Sequence, residues 1–163
     1  MQSIKNKVVL ITGGSKGIGL GVAEALVHQY AKVAITSRTQ AAADKAAAHL
    51  NKIGKGEVMA VAADVCDPLA QQRAVEQVIA KWGRLDVLVA NAGLGYFGSV
   101  DTLTIEQWKK TIDTNLSGVF YSLKASVQAL KESQGYVITI ASLAGTNFFE
   151  GGSAYNASKF GLV

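Results

Sequence analysis

The chain has 163 residues, 49% of them hydrophobic and 17% charged, with 17 glycines and a single proline, which fits one globular domain and excludes a disordered or low-complexity polypeptide. Its net charge of +4 is spread among acids rather than gathered in a block, so it offers no stripe for nucleic acid or an anionic membrane surface. Cys66 is the only cysteine, which excludes an internal disulfide and suits a reducing cytoplasm.

The segment ahead of the first apolar run is short and polar, so it is neither a signal core nor a membrane span, and the protein is expected to stay in the cytoplasm. Residues 8–12 are an apolar run rich in Val and Ile and read as a buried strand. A glycine-rich loop follows, then an amphipathic helix over 17–30, with Ala23, Leu26 and Val27 toward the sheet. The alternation continues with a strand at 33–36, a helix over 40–52, a strand at 58–62, a helix over 68–82, a strand at 85–90, a long helix over 105–131 interrupted near Thr114 and Asn115, and a strand at 136–140. A last helix begins near Ser153. Asp67 before Pro68 is a capping pair, and Thr104 with Gln107 has the form of a capping box. Strands alternating with helices imply right-handed crossovers and parallel pairing. The expectation is one α/β domain over residues 1–163: a Rossmann-type doubly wound parallel sheet of five strands.

The loop after the first strand contains Gly13, Ser15, Lys16, Gly17, Ile18 and Gly19. Between a strand and a helix, such glycines permit a tight turn and let backbone approach a pyrophosphate that rests on the free amides of the helix. The second strand ends in Thr36-Ser37-Arg38 with no acid to hold ribose hydroxyls; Arg38 and Lys16 either face a 2′-phosphate or are solvated surface cations. The phosphate reading favours NADP(H) over NAD(H). Asp64, followed by Val65, is placed to accept a hydrogen bond from adenine or else to initiate the turn before Asp67. In Asn91-Ala92-Gly93 the glycine lets a ribose lie close, while Asn91 either contacts cofactor or ties neighbouring strands.

Tyr155 and Lys159 are four apart and share a helix face. A free phenol titrates near about 10, too high for proton exchange at neutral pH, and a neighbouring ammonium favours the phenolate. Ser142, after the fifth strand, lacks a nucleophile-elbow turn, so a nucleophilic role is not expected. His28 and His49 have no second ligand at helical spacing, Trp82 and Trp108 read as packing aromatics, and Tyr96 with Phe97 either line a substrate pocket or simply pack.

Taken in order, Thr12-Gly13, Gly17-Ile18-Gly19, Asp64, Asn91-Ala92-Gly93, Asn115, Ser142 and Tyr155 with Lys159 resemble the short-chain dehydrogenase/reductase family, and in particular its 3-oxoacyl-acyl-carrier-protein reductases. The resemblance implies catalytic roles for Asn115, Ser142, Tyr155 and Lys159: Tyr155 as general acid/base, Ser142 as donor to the substrate oxygen, Asn115 as holder of a relay water, and Lys159 on the nicotinamide ribose. It implies a small carbonyl or alcohol substrate and a homo-oligomer formed through the long helix and the helix begun at Ser153. Members of that family are usually longer, with two further strands. From this the expectation is a fold truncated before those strands, a Tyr155 helix with uncapped carbonyls, an open sheet edge, and weak dinucleotide binding and turnover by these residues alone.

Overall fold

A computed structural model describes residues 3–163. Five parallel strands form one sheet in the order β3-β2-β1-β4-β5: β1 (Val8–Ile11), β2 (Lys32–Ser37), β3 (Glu57–Ala62), β4 (Val87–Ala90) and β5 (Tyr136–Thr139). The connecting helices are α1 (Gly17–His28), α2 (Gln40–Ile53), α3 (Pro68–Trp82), α4 (Ile105–Ile112), α5 (Gly118–Ser133) and α6 (Ser153–Phe160). β1 and β4 are adjacent although the chain visits β2 and β3 between them, so the winding direction reverses at their carboxyl ends. That is the point where an open α/β sheet leaves a crevice for a ligand.

The central strand is buried on both faces, which is why its sequence is uninterrupted Val-Val-Leu-Ile rather than alternating. Val9 and Ile11 face α1 and α2, packing with Val27, Val33, Ile35 and Leu50. Val8 and Leu10 face α3 and α5, with Val75, Val78, Leu88 and Leu130. Small residues at Gly19 and Ala23 bring α1 close to the sheet.

The caps at Asp67 and Thr104 form as expected, with Asp67 Oδ1 accepting from Leu69 and Ala70 and the Thr104–Gln107 box closed in both directions. α1 ends earlier than its apolar pattern predicts, because Gln29 caps it and Tyr30 turns to φ +62°. The interruption expected near Asn115 is not a break: residues 113–117 form one wide turn that joins α4 to α5 without ending the helix. Such a π turn inserts a residue and re-aims its neighbours.

β5 departs from the buried strand expected, with Tyr136 64%, Val137 44% and Ile138 50% exposed at the sheet edge. Its outer side has no neighbouring strand among the described residues. The opposite edge is closed by side chains of α2: Asn51 Oδ1 accepts from Val58 N, and Gln40 Oε1 accepts from Ala62 N. At the end of α6, Gly161 N–H donates to Ala157 O and Leu162 N–H to Lys159 O, so two of its last four carbonyls have backbone donors and the expectation of uncapped carbonyls holds only in part. A side chain at position 161 would meet Leu116, whose own position follows from the π turn.

Candidate active site

The turn from β1 into α1 is shaped by two residues in the left-handed region, Gly13 at φ +65° and Gly17 at φ +56°. A Cβ on Gly13 would stand 3.0 Å from Ala92 Cα, and one on Gly19 would stand 2.5 Å from Asn91 Nδ2, so both positions require glycine for close approach to the end of β4. Asn91 supplies the fastening: its amide donates to Thr12 O (2.9 Å) and Gly13 O (3.2 Å), while its N–H and that of Ala92 both donate to Thr12 Oγ1. The strand-tying role of Asn91 is therefore visible in its bonds. Thr12, part of the sequence motif but given no role there, is the shared acceptor; a Thr closing an apolar strand just before a glycine is the signal for it.

α2, α3 and α4 are each capped by a side-chain oxygen, from Thr39, Asp67 and Thr104. α1 has no side-chain cap and no acid in its first turn. Its first amides and positive end are thus left for an external anion, and the exposed Gly17 has nothing within 4 Å of where a Cβ would be. These residues fit a dinucleotide pyrophosphate. Ile18, 64% exposed, lies at the rim.

At the end of β2, Ser15 Oγ donates to Ser37 Oγ across the loop (3.2 Å), and Arg38 and Lys16 are both exposed beside it. No acid stands there. Asp64 Oδ1 accepts from Cys66 N, and its carbonyl accepts from Gln71 Nε2, so Asp64 forms the turn before α3. Val65 is buried against Gly118 of α5. Burial pushes the Cys66 thiol up from its ordinary value, which keeps it protonated.

The remaining candidates meet where α4, α5 and α6 converge behind the loop after β4. Asn115, 1% exposed within the π turn, accepts from Leu94 N (2.8 Å) and donates to Leu94 O (2.7 Å) and Ser158 Oγ (3.1 Å). Ser158 Oγ in turn donates to Tyr155 O, so Asn115 holds both the α6 backbone and the segment after Gly93. Lys159 is 5% exposed; its Nζ donates to Ile140 O (2.7 Å) and stands 5.6 Å from the centroid of the Tyr155 ring. Burial holds its ammonium below the usual lysine range. Ser142 follows Ile140 by two residues and caps a single helical turn, its Oγ accepting from Ala144 N. Phe97 packs edge-on against Tyr155, ring centroids 5.5 Å apart.

The family model for the short chain dehydrogenases matches residues 7–163. The chain belongs to the short-chain dehydrogenase family. It is 37% identical over 164 residues to trans-4-hydroxycyclohexanecarboxylate dehydrogenase of Sinomonas cyclohexanicum, covering 98% of this chain and 63% of that protein. It is 36% identical over 163 residues to the 3-oxoacyl-acyl-carrier-protein reductase of Escherichia coli, covering 99% of this chain and 65% of the relative. The chain therefore spans less than two thirds of the length of these curated relatives. Among solved structures, an alcohol dehydrogenase of the archaeon Thermococcus sibiricus, complexed with 5-hydroxy-NADP, superposes with a TM-score of 0.91 at 33% identity, covering 95% of this chain and 66% of that one. An NAD+-bound xylitol dehydrogenase gives 0.93 at 28% identity, with coverages of 99% and 62%.

Two concave surfaces of this short-chain dehydrogenase lie away from Tyr155. One, of about 540 Å³, runs between α3 and α5 beside Val75, Ile79 and Ala129; another of similar volume lies beside Cys66, Ile105 and Lys109. His49 pairs with Glu24 (3.1 Å) and Trp82 donates to Glu57, while Trp108 is 40% exposed. No group of three metal-ligating side chains occurs among the described residues, and none of the described helices is long and apolar enough to cross a membrane.

Proposed function

We propose that this short-chain dehydrogenase is an NADP(H)-dependent reductase that converts a ketone, a 3-oxoacyl thioester or another, to a secondary alcohol. The observation that carries this is the buried Lys159 ammonium held against the Tyr155 ring at the sheet edge where the glycine loop also lies. Held along these residues, NADPH would supply the hydride for the carbonyl carbon. The Tyr155 hydroxyl donates a proton to the carbonyl oxygen, and the Ser142 hydroxyl donates a hydrogen bond to the same oxygen, since its lone pair rather than its proton is used by Ala144.

One N–H of Lys159 is taken by Ile140 O, leaving two for the phenolate oxygen side and for a ribose hydroxyl. The Asn115 amide spends both hydrogens and one lone pair on Leu94 and Ser158, which leaves a lone pair for a relay water. Gly13, Ser15, Lys16, Gly17, Ile18 and Gly19 hold the pyrophosphate, with Asp64 and Val65 at adenine and Asn91, Ala92 and Gly93 along the nicotinamide ribose. Preference for NADP(H) rests on Arg38 and Lys16 at an acid-free β2 end; the solved relatives carry either cofactor type, so they support the class and not the preference. Ile105, Trp108, Phe120 and Val127, all exposed along α4 and α5, support association of copies through that helix.

The test is NADPH oxidation against a ketone and thioester panel with the natural chain and Tyr155→Phe. Loss of about 10²- to 10⁴-fold in kcat with Tyr155→Phe is expected; equal turnover by the variant refutes the assignment. A second reading is a dinucleotide-binding module without catalysis, which needs only the glycine loop and the start of α1, free of a side-chain cap. Dinucleotide binding with no Tyr155-dependent turnover would establish that instead.

A further inference from the structure

We infer that the ketone is a neutral one carrying a flat or cyclic apolar group, which Phe97 and Phe149 grip beside Tyr155. The inference rests on the reading of Tyr155 as proton donor and narrows the substrate of that site.

Two loops meet over Tyr155, one following β4 and one preceding α6, and Gly98 N–H joins them by donating to Gly151 O (2.8 Å). Each loop offers one phenyl ring. Phe97 and Phe149 stand with centroids 5.9 Å apart and planes tilted 43°, and Phe97 meets the Tyr155 ring at 61°. Glycines make room for the rings: a Cβ at Gly95 would come within 2.6 Å of Phe97 Cζ and 3.1 Å of Tyr155 Cδ2, and one at Gly152 within 2.6 Å of Phe149 Cε2. Although seated so closely, the rings stay open, Phe97 at 62% and Phe149 at 45% exposure. Large apolar rings beside a proton donor gain by being covered, and a tilted pair favours an offset or edge-on planar partner over a flexible polar chain.

Charge points the same way. Between residues 91–104 and 142–152 the only charged side chains are Asp101 and Glu150, both acidic. The neighbouring cations are Lys159, buried with one N–H on Ile140 O, and Lys110, over the Tyr96 ring at 6.0 Å. A carboxylate, a phosphate or an acidic carrier domain would meet these two acids and no cation on the loops themselves, whereas an uncharged ring-bearing ketone needs no counter-charge.

The experiment compares kcat/KM with NADPH for acetophenone, the open-chain 2-octanone, pyruvate and acetoacetyl thioester, together with saturation-transfer NMR of acetophenone, which reads binding without turnover. Acetophenone should be preferred about tenfold or more, and Phe97→Ala and Phe149→Ala should each raise its KM roughly three- to tenfold while leaving kcat nearly constant. Phe97→Leu and Phe149→Leu keep bulk without the ring and guard against misfolding; they should fall between. If no ketone is reduced but acetophenone binding is lost in both alanine variants, the ring-binding site stands and the proton-donor reading fails. Preference for pyruvate or the thioester, or acetophenone binding unchanged in the variants, overturns the inference.

Discussion

Gly19→Ala separates backbone freedom from packing at the glycine loop. In an ordinary helix this change gains about 1 kcal/mol from propensity. Here the new methyl would stand 2.5 Å from Asn91 Nδ2 and 2.8 Å from Gly13 O, below any contact a Cβ tolerates. Overpacking costs about 1–3 kcal/mol. Displacing Asn91 also forfeits its bonds to Thr12 O and Gly13 O, each about 0.5–1.5 kcal/mol. The net loss is centred near 3 kcal/mol, read by urea unfolding, with a melting drop of roughly 6–12 °C for a chain of this size. Gly17→Ala is the control: its φ of +56° is strained for alanine by about 1–2 kcal/mol, yet the space around it is empty. Gly17→Ala should thus be milder in stability while weakening NADPH binding by tenfold or more, since its methyl enters the exposed cradle. Adding Asn91→Ala to Gly19→Ala should cost less than the two changes summed, though not nothing, because the Gly13 carbonyl remains in the way. A Gly19→Ala protein within 0.5 kcal/mol of the natural one, or strict additivity with Asn91→Ala, would refute the packing argument.

Asp86, 3% exposed, accepts from Val8 N (2.9 Å), Lys7 Nζ (3.1 Å) and both Arg84 Nε and Nη2 (2.9 and 2.6 Å). Burial alone would push its carboxyl up, but the bonds from Arg84, Val8 and Lys7 outweigh it and hold it below the usual carboxylate range. Its stabilisation is therefore present above the unfolded value of about 3.9 and lost as pH falls through the lower folded value. Asp86→Asn should lose about 3 kcal/mol at neutral pH, at the low end for a buried pair because Arg84 and Lys7 are partly solvated. Urea unfolding across a pH series should show that gap constant from about pH 5 to 8 and narrowing only below about pH 4; equal stabilities at neutral pH would contradict it. Arg38→Asp should weaken NADPH binding by about tenfold or more and shift preference toward NADH, because it replaces a phosphate-pairing cation with a ribose-binding acid. Unchanged NADPH affinity in a fluorescence titration would remove Arg38 from the phosphate site.

The local rules of the chain set much of this structure. Four consecutive apolar residues at Val8–Ile11, rich in β-branched side chains and followed by glycines, read as a strand covered on both faces, and the Asp67 and Thr104 caps start their helices for reasons contained within four residues. Alternating strands and helices then imply a parallel sheet, and glycines between a strand and a helix imply an anion-binding turn. What spacing alone did not decide was which distant groups would meet. Asn115 was legible as a polar residue at a helix interruption, but only the π turn aims its amide at Leu94 and Ser158. Tyr155 and Lys159 were legible as a shared face. Only the packed α6 helix sends the ammonium to Ile140 O and beneath the ring, because the burial of a charge and the identity of its acceptor are set by chain segments far away in sequence. β5 shows the converse: its residues carry an apolar strand signal, yet their exposure follows from where the sheet order places them, a tertiary outcome that composition does not encode.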